Sequence, residues 1–380
     1  MTLARFVRKN AFRNKRRSIL TILSVGFSLL LLTFMITIWR SFYIDQGSVQ
    51  SAQRLMVRHK VSLVFSLPAF YREKIRAIPG VQHVVNMQWF GGQYKDDRSQ
   101  NYFAQFGVDP NEFFQVYTDM KIPQDQIEAW QKDRAGAVVD AGLANKFGWK
   151  VGDRLNIKGL IFPLNLELTI RGIFTAPSPT QSIYFNKIYL DEGYTAVKGS
   201  DGVFAVLVDS PEAVSRVATT IDEQFRNSPK PTKSESEHAF QLGFIAMLGN
   251  VKAFILSICL AVVFAILLVS ATTMAMSVRE RTREVAVLKT LGFEKKTILS
   301  LFVGEAVALS LAGGILGTGV AFVLVALAAS QGGFLTGMKV TPATIVVAMV
   351  VAALVGFLSA FIPSYRASQI NIVDGLRHIG

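Results

Sequence analysis

Hydrophobic positions are unevenly spread along the 380-residue chain, and their longest runs set the architecture. Four stretches carry no charge or almost none. Ser18 to Trp39 lies between Arg17 and Arg40, and Ala253 to Val278 lies between Lys252 and Arg279. Thr297 to Met338 contains only Glu305 and breaks near its end at Gln331-Gly332-Gly333. Thr341 to Tyr365 lies between Lys339 and Arg366. A helix rising ~1.5 Å per residue crosses a ~30 Å hydrocarbon layer in about 20 residues, so every run is long enough. Core helices of a soluble protein show a polar face over such lengths, and these do not. The pattern predicts transmembrane helices over 18–42, 246–278, 297–330 and 341–365, with connections over 279–296 and 331–340. Basic residues ahead of the first run also suit a signal peptide. Its apolar stretch exceeds the usual ~7–15 residues, however, and no A-x-A-like site follows, so the expectation is an uncleaved anchor.

Between the first two spans, over 43–245, the pattern shortens to strands and small helices of an α+β domain. "LPAFYREKIRAIPGVQHVV" predicts a helix from Ala69 to Ile78, a stop at Pro79-Gly80, and a strand through Val81, Val84 and Val85. "NYFAQFGVD" alternates as a strand does. "AVVDAGLANKFGWKVGDRLNI" reads as strand, short helix, a Gly148 stop, a turn at Val151-Gly152-Asp153 and a second strand. "LELTIRGIF", "SIYFNKIYL" and "GVFAVLV" are further strands, and Ser210-Pro211 opens a helix through "SPEAVSRVATTIDEQFRN". Lys230 to Glu237, "KPTKSESE", is polar throughout and is expected to be a linker back to the membrane. Ahead of the first span, Leu3, Phe6, Val7, Ala11 and Phe12 recur near helical spacing among Arg and Lys. That predicts an amphipathic helix over 1–17 in the inner-leaflet interface.

Charge fixes the expected orientation. The chain has a net charge of +13, yet Tyr43 to Val251 holds 22 basic and 22 acidic residues. The excess therefore flanks the spans, whereas a nucleic-acid binder would carry it on a folded domain. Arg5, Arg8, Lys9, Arg13, Lys15, Arg16 and Arg17 precede the first span without an acid, and six more basic residues lie between spans two and three. By the positive-inside rule both termini and that connection are cytoplasmic, and the large domain is outside. The one cysteine, Cys259, lies in the second span, so no disulfide forms within the chain.

Catalytic signatures are missing. There is no Gly-Lys dipeptide, and hence no G-x-x-x-x-G-K-[ST] phosphate loop. His59, His83, His238 and His378 lack paired metal-ligand spacing, and no G-x-S-x-G or H-E-x-x-H occurs. Asp96-Asp97 beside Arg98 reads as a solvated turn. Glu305 is the only ionisable residue at membrane depth, ~13 Å up its helix from Lys296. A lone carboxylate near one end is better suited to a helix contact than to a proton path. Gly313, Gly314, Gly317 and Gly319 follow, and the G-x-x-x-G from Gly313 to Gly317 predicts close helix packing and a dimer contact.

Arg279 to Lys296 holds nine charges in its eighteen positions, more than a passive connection needs. Glu280 and Glu284 fall on one stripe, and Val285, Leu288 and Leu291 on another; Arg279, Arg281 and Arg283 can meet acidic groups or lipid phosphates.

From Arg279 to Gly317 the sequence closely resembles the MacB/FtsX-like permeases of ABC transporters, the type VII or mechanotransmission systems. Their R-x-R-E-[IV] helix is matched by Arg281, Arg283, Glu284 and Val285. Their Leu-Lys/Arg-x-Leu-Gly step is matched by Leu288, Lys289, Leu291 and Gly292, and their span-three Glu and glycines by Glu305, Gly313, Gly314 and Gly317. The C-terminal P-x-x-R-A…P-x-x-A-L-R pattern is met by Pro363, Arg366, Ala367, Leu376 and Arg377. It departs at Ile372, where the family has Pro, and at Gly375, where it has Ala. "IPGV" and "LANKFGWKVGDRLNI…LTIRGIF" are similar to phrases of the family's periplasmic core domain, so the resemblance covers essentially the whole chain.

The resemblance implies four transmembrane helices with a large periplasmic α+β domain between the first two, and a cytoplasmic tail over 366–380. It implies a coupling helix within 279–296 that fits a groove on a cytoplasmic ATPase, using Arg279, Arg281, Arg283, Glu284, Val285, Leu288, Lys289, Leu291 and Gly292. Glu305, Gly313, Gly314 and Gly317 would serve helix packing or a dimer with a second permease copy or homologue. MacB carries a fused ATPase, and the expectation here is the separate-subunit form, as in FtsX and the lipoprotein-releasing permeases. This chain would then be no enzyme and hold no cofactor, with ATP and Mg on the partner. Expected partners are the ATPase, membrane lipids, and for export a periplasmic adaptor and outer-membrane channel. The expected location is the bacterial inner membrane. Export or extraction of a substrate is the first functional reading, and activation of a periplasmic enzyme such as a cell-wall hydrolase is the alternative. An ion-coupled transporter would work without an ATPase.

Overall fold

The first span forms as the hydropathy predicts: helix α1 runs Lys15–Tyr43. Its buried Thr33 and Thr37 return their hydroxyls to the carbonyls of Leu29 and Thr33 at 2.7 Å, which satisfies them without a polar partner from another helix. The computed structural model describes residues 15–44, 50–98, 101–177, 180–247, 249–330 and 338–371. The amphipathic helix expected over 1–17 lies almost wholly outside these residues, as do 331–337 and the C-terminal Ile372, Gly375, Leu376 and Arg377. The chain divides into a helical unit and an α+β unit over Asp45–Gly249.

The α+β unit is built on one sheet. Its elements in order are β1 (Arg54–His59), β2 (Leu67–Pro68), α2 (Tyr71–Arg76), β3 (Val81–Trp89), β4 (Gly92–Tyr94) and β5 (Ala104–Val108). Then come α3 (Phe113–Val116), α4 (Gln124–Lys132), β6 (Gly136–Asp140), α5 (Ala141–Phe147), β7 (Arg154–Gly159) and β8 (Leu166–Phe174). The last are β9 (Ser182–Asn186), α6 (Lys187–Gly193), β10 (Ser200–Asp201), β11 (Val203–Val208), α7 (Ala213–Gln224), β12 (Thr232–Ser236) and α8 (Glu237–Met247). The ten-stranded order is β12-β1-β11-β3-β5-β9-β6-β8-β7-β4, with β2 and β10 paired separately. Among the described strands, only β5–β9 and β6–β8 are parallel.

Strand alternation divides the core. On β11, Phe204, Val206 and Val208 face α2 and α7, whereas Ala205 and Leu207 face α3 and α4. On β9, Tyr184 joins that second face, and Ile183 and Phe185 join a third cluster with α5, β7 and β8. The cores with α2 and α7 and with α5, β7 and β8 thus share one side of the sheet, and the core with α3 and α4 covers the other side.

Two local expectations fail here. "KPTKSESE" is not a linker: β12 is an edge strand paired antiparallel with β1. Its polar side chains are held from both sides, Glu235 by Arg58 and Lys233 at 2.8 Å each, and Ser234 and Thr232 by Asp222 of α7. "SIYFNKIYL" is a strand only to Asn186, whose side chain accepts from the Ile188 backbone N–H and caps α6. The helix expected from Ala69 to Ile78 is shorter, α2. The Gly148 stop is present with φ +72°, and Asp96 accepts from Arg98 in an exposed turn.

The helical unit comprises α1 with α9 (Val251–Glu280), α10 (Thr282–Thr290), α11 (Lys295–Ser330) and α12 (Pro342–Gln369). Four of these, all but α10, are long and apolar enough to cross a membrane. The second span starts at Val251 rather than 246, because Gly249 takes φ +91° and ends α8 before α9 begins.

The glycines of α11 work inside the chain. A Cβ on Gly313 would come within 2.8 Å of Val25, and one on Gly317 would overlap the Gly26 carbonyl oxygen, both on α1. A Cβ on Gly314 would meet Ala352 and Met349 of α12 at 3.1 Å. The motif therefore seats α11 between α1 and α12, the helix packing expected of it; Gly319 faces open space.

Candidate functional site

The functional candidate is the turn between the second and third spans. Helix α9 ends at Glu280, and Arg281, with φ −107° and ψ 15°, is the single residue separating it from α10. At the other end, Gly292 takes φ +87°; its N–H bonds the Lys289 carbonyl, and the Phe293 N–H bonds that of Leu288. A left-handed residue after a helix suits glycine, which explains the Leu-Gly step.

Helix α10 has two faces. Val285 is 1% exposed and, with Leu288, packs on Val278, Ile298, Phe302 and Ala367. The expected docking stripe of Val285 and Leu288 is thus spent on the chain's own bundle, because a short amphipathic helix beside three span ends buries its apolar side there first. Leu291 departs from that stripe and is 69% exposed. With Val287 and Phe293 it adds an outward apolar surface to this end of the unit, and Arg279 and Arg283 are exposed as well. Sequence periodicity missed Val287 and Phe293; the i, i+4 spacing of Val287 and Leu291 was the available signal.

Arg281 turns inward. Its Nη1 donates to Glu305 Oε2 of α11 at 2.7 Å, its Nε donates to Glu284 Oε2 at 3.0 Å, and its guanidinium lies 5.2 Å from the Phe302 ring centroid. Of the partners expected for Arg281, acidic groups or lipid phosphates, the structure supplies acidic groups of the same chain. Glu305 is buried and holds a helix contact. Lys289 Nζ donates to the Ile370 carbonyl at 2.6 Å, which holds the far end of α10 at the end of α12, and Lys295 Nζ, at the start of α11, donates to Gln369 Oε1 at 2.8 Å. The arrangement presents a small surface of apolar and basic side chains. No group of three His, Cys, Asp or Glu side chains is placed to hold a metal among the described residues.

Two family models match the chain: the MacB-like periplasmic core domain over residues 18–224 and the FtsX-like permease C-terminal domain over residues 253–372. The chain is an ABC transporter permease of the MacB/FtsX type. The FtsX-like match contains the whole turn and Glu305, and the MacB-like match contains most of the sheet. A permease of Methanocaldococcus jannaschii named as an uncharacterized ABC transporter permease is 26% identical over 98% of this chain and 96% of its own length. A Bacillus subtilis protein of the same description is 32% identical over 38% of this chain and 33% of its own. The macrolide export ATP-binding/permease protein MacB of a Shewanella species is 37% identical over 27% of this chain and 16% of its own. The alignment to MacB thus spans less than a fifth of that relative. The permease assignment and the multi-pass membrane architecture follow from the family matches and the four helices.

Proposed function

We propose that this permease receives ATP-driven motion from a separate ATPase on the outward face of α10 and passes it to the α+β domain, driving export or extraction of a substrate outside the membrane. The observation that carries this reading is α10 itself, a short helix fixed to three spans with Val287, Leu291 and Phe293 left exposed. A charged connection with no partner would have no use for an exposed apolar cluster on a rigid mount. The charge distribution supports a cytoplasmic α10 in the plasma membrane, with both termini on the same side. ATP and Mg would be held by the ATPase, and a second permease copy would complete a symmetric complex. Export is the favoured outcome because several relatives that match part of this chain carry that activity in their names. The test is purification of the tagged chain from its native membrane with identification of co-purifying chains. An ABC ATPase is expected in stoichiometric yield. A chain that recovers transport or partner activity without any ATPase would refute the reading.

A further inference from the structure

The break between α9 and α10 is one residue long, and a one-residue break between two helices is by itself a pivot. A force applied to α10 could then swing it about Arg281 and be lost. The side chain of that same residue opposes this beside the apolar packing of Val285 and Leu288. Arg281 reaches back over Phe302 to Glu305, ten residues into α11, while its Nε holds Glu284 on α10. Both ends of the Arg281–Glu305 pair are shielded, with side chains 12% and 4% exposed, so water competes weakly for the bond. A guanidinium offers donors in fixed, divergent directions and can hold two acids on two elements at once; an ammonium is a single point charge.

We infer that Arg281 is a positioning residue whose pair with Glu305 makes α10 and α11 move as one body, so that displacement of the docking helix drives the third span. The inference rests on the reading that α10 receives an ATPase, and it adds the route by which the motion leaves α10. The hinge and its lock are one residue. Lys289, bonded to the Ile370 carbonyl, holds the opposite end of α10 against α12. Motion entering α10 is thereby directed into α11 and α12 and not into α9 alone.

The experiment uses the permease–ATPase complex purified from native membranes, with hydrogen–deuterium exchange measured with and without a non-hydrolysable ATP analogue. In the wild type the nucleotide should change exchange in α10 and in residues 295–305 of α11 together. In Arg281→Gln and in Glu305→Gln the ATPase should still co-purify and α10 should still respond, because the exposed docking residues are untouched. The response of α11 should fall at least threefold. Arg281→Lys, which keeps a cation for Glu305, should restore at least half of it, a rescue that a purely structural loss of packing would not give. An undiminished α11 response in both glutamine variants would overturn the inference and leave the proposed function standing. No nucleotide response at α10 in the wild type would overturn the proposed function and the inference with it. Failure of all three variants to assemble would assign the pair to folding and overturn the positioning role.

Discussion

Arg54 opens β1 and ties it to the segment that leads into the second span. Its Nε donates to Glu237 at 2.6 Å, at the first residue of α8, and its two terminal nitrogens hold Asp119 at 2.7 and 3.1 Å. The guanidinium lies 4.7 Å from the centre of the Tyr117 ring. Burial pushes the Glu237 carboxyl above its usual range, and Arg54 opposes that shift. All three charged side chains are nearly enclosed, at 5%, 7% and 12% exposure. Arg54→Leu fills similar space and strands two acids facing each other. Breaking one partner from a buried ion cluster costs about 3–5 kcal/mol. For a domain of 150–250 residues each kcal/mol moves Tm by about 2–4 °C, so the loss should be about 6–20 °C. Three of the four tryptophans, Trp89, Trp130 and Trp149, lie in this domain, so the intrinsic-fluorescence melt of the full chain in detergent reports on it. The triple variant Arg54→Leu, Asp119→Asn, Glu237→Gln should recover at least half the loss, since it removes the stranded charges with the cation. A single variant melting within about 2 °C of wild type would show that the buried ion cluster does not hold β1 to α8.

Gly317→Ala should lower the stability of the helical unit by about 1–3 kcal/mol, because its Cβ would overlap the Gly26 carbonyl, whereas Gly319→Ala, in open space, should be nearly neutral. Urea or detergent unfolding of the two variants checks this, and equal effects would return the glycines to an interface between copies. Burial raises the pKa of Asp201, with Lys187 and Asn86 opposing. A raised folded-state pKa gives stability that is complete below the unfolded value of about 3.9 and is lost as pH rises through the folded one. Asp201→Asn keeps the acceptor for Asn86 and leaves Lys187 paired with Asp191 at 2.8 Å. It should therefore gain on the wild type in Tm as pH is raised from 4 to 7, and a pH-independent difference would contradict the assignment.

The spans and most of the α+β domain were legible because each rests on a local signal. Long uncharged runs give helices, alternation gives β5 and β8, and short apolar runs give β6 and β11. Elements whose stability comes from distant partners were hidden. The strand β12 contains no alternating apolar residues, and its pairing depends on Arg58, 177 residues from Glu235. The turn after α9 was legible as a helix with two faces, but not as a helix facing inward. Val285 and Leu288 looked available because Ile298, Phe302 and Ala367, which cover them, belong to other helices. Arg281 looked like one more surface cation for the same reason, since Glu305 lies 24 residues away and is met only once α11 stands beside α9. The G-x-x-x-G signal was correct about close approach, but the partner helix it meets is α1 of its own chain.

If a partner ATPase docks on the exposed side of α10, Leu291→Asp with Phe293→Asp should remove it. Both side chains are exposed, at 69% and 45%, so the double variant should insert and fold as the wild type does. An interface that buries an unpaired carboxylate loses several kcal/mol, and each 1.4 kcal/mol is tenfold in affinity. Binding of the ATPase should therefore fall by roughly a hundredfold or more. The measurement is recovery of the ATPase with the tagged permease across a dilution series. Loss of the ATPase with unchanged permease yield and melting is the predicted result; recovery at wild-type level throughout the series would contradict the account.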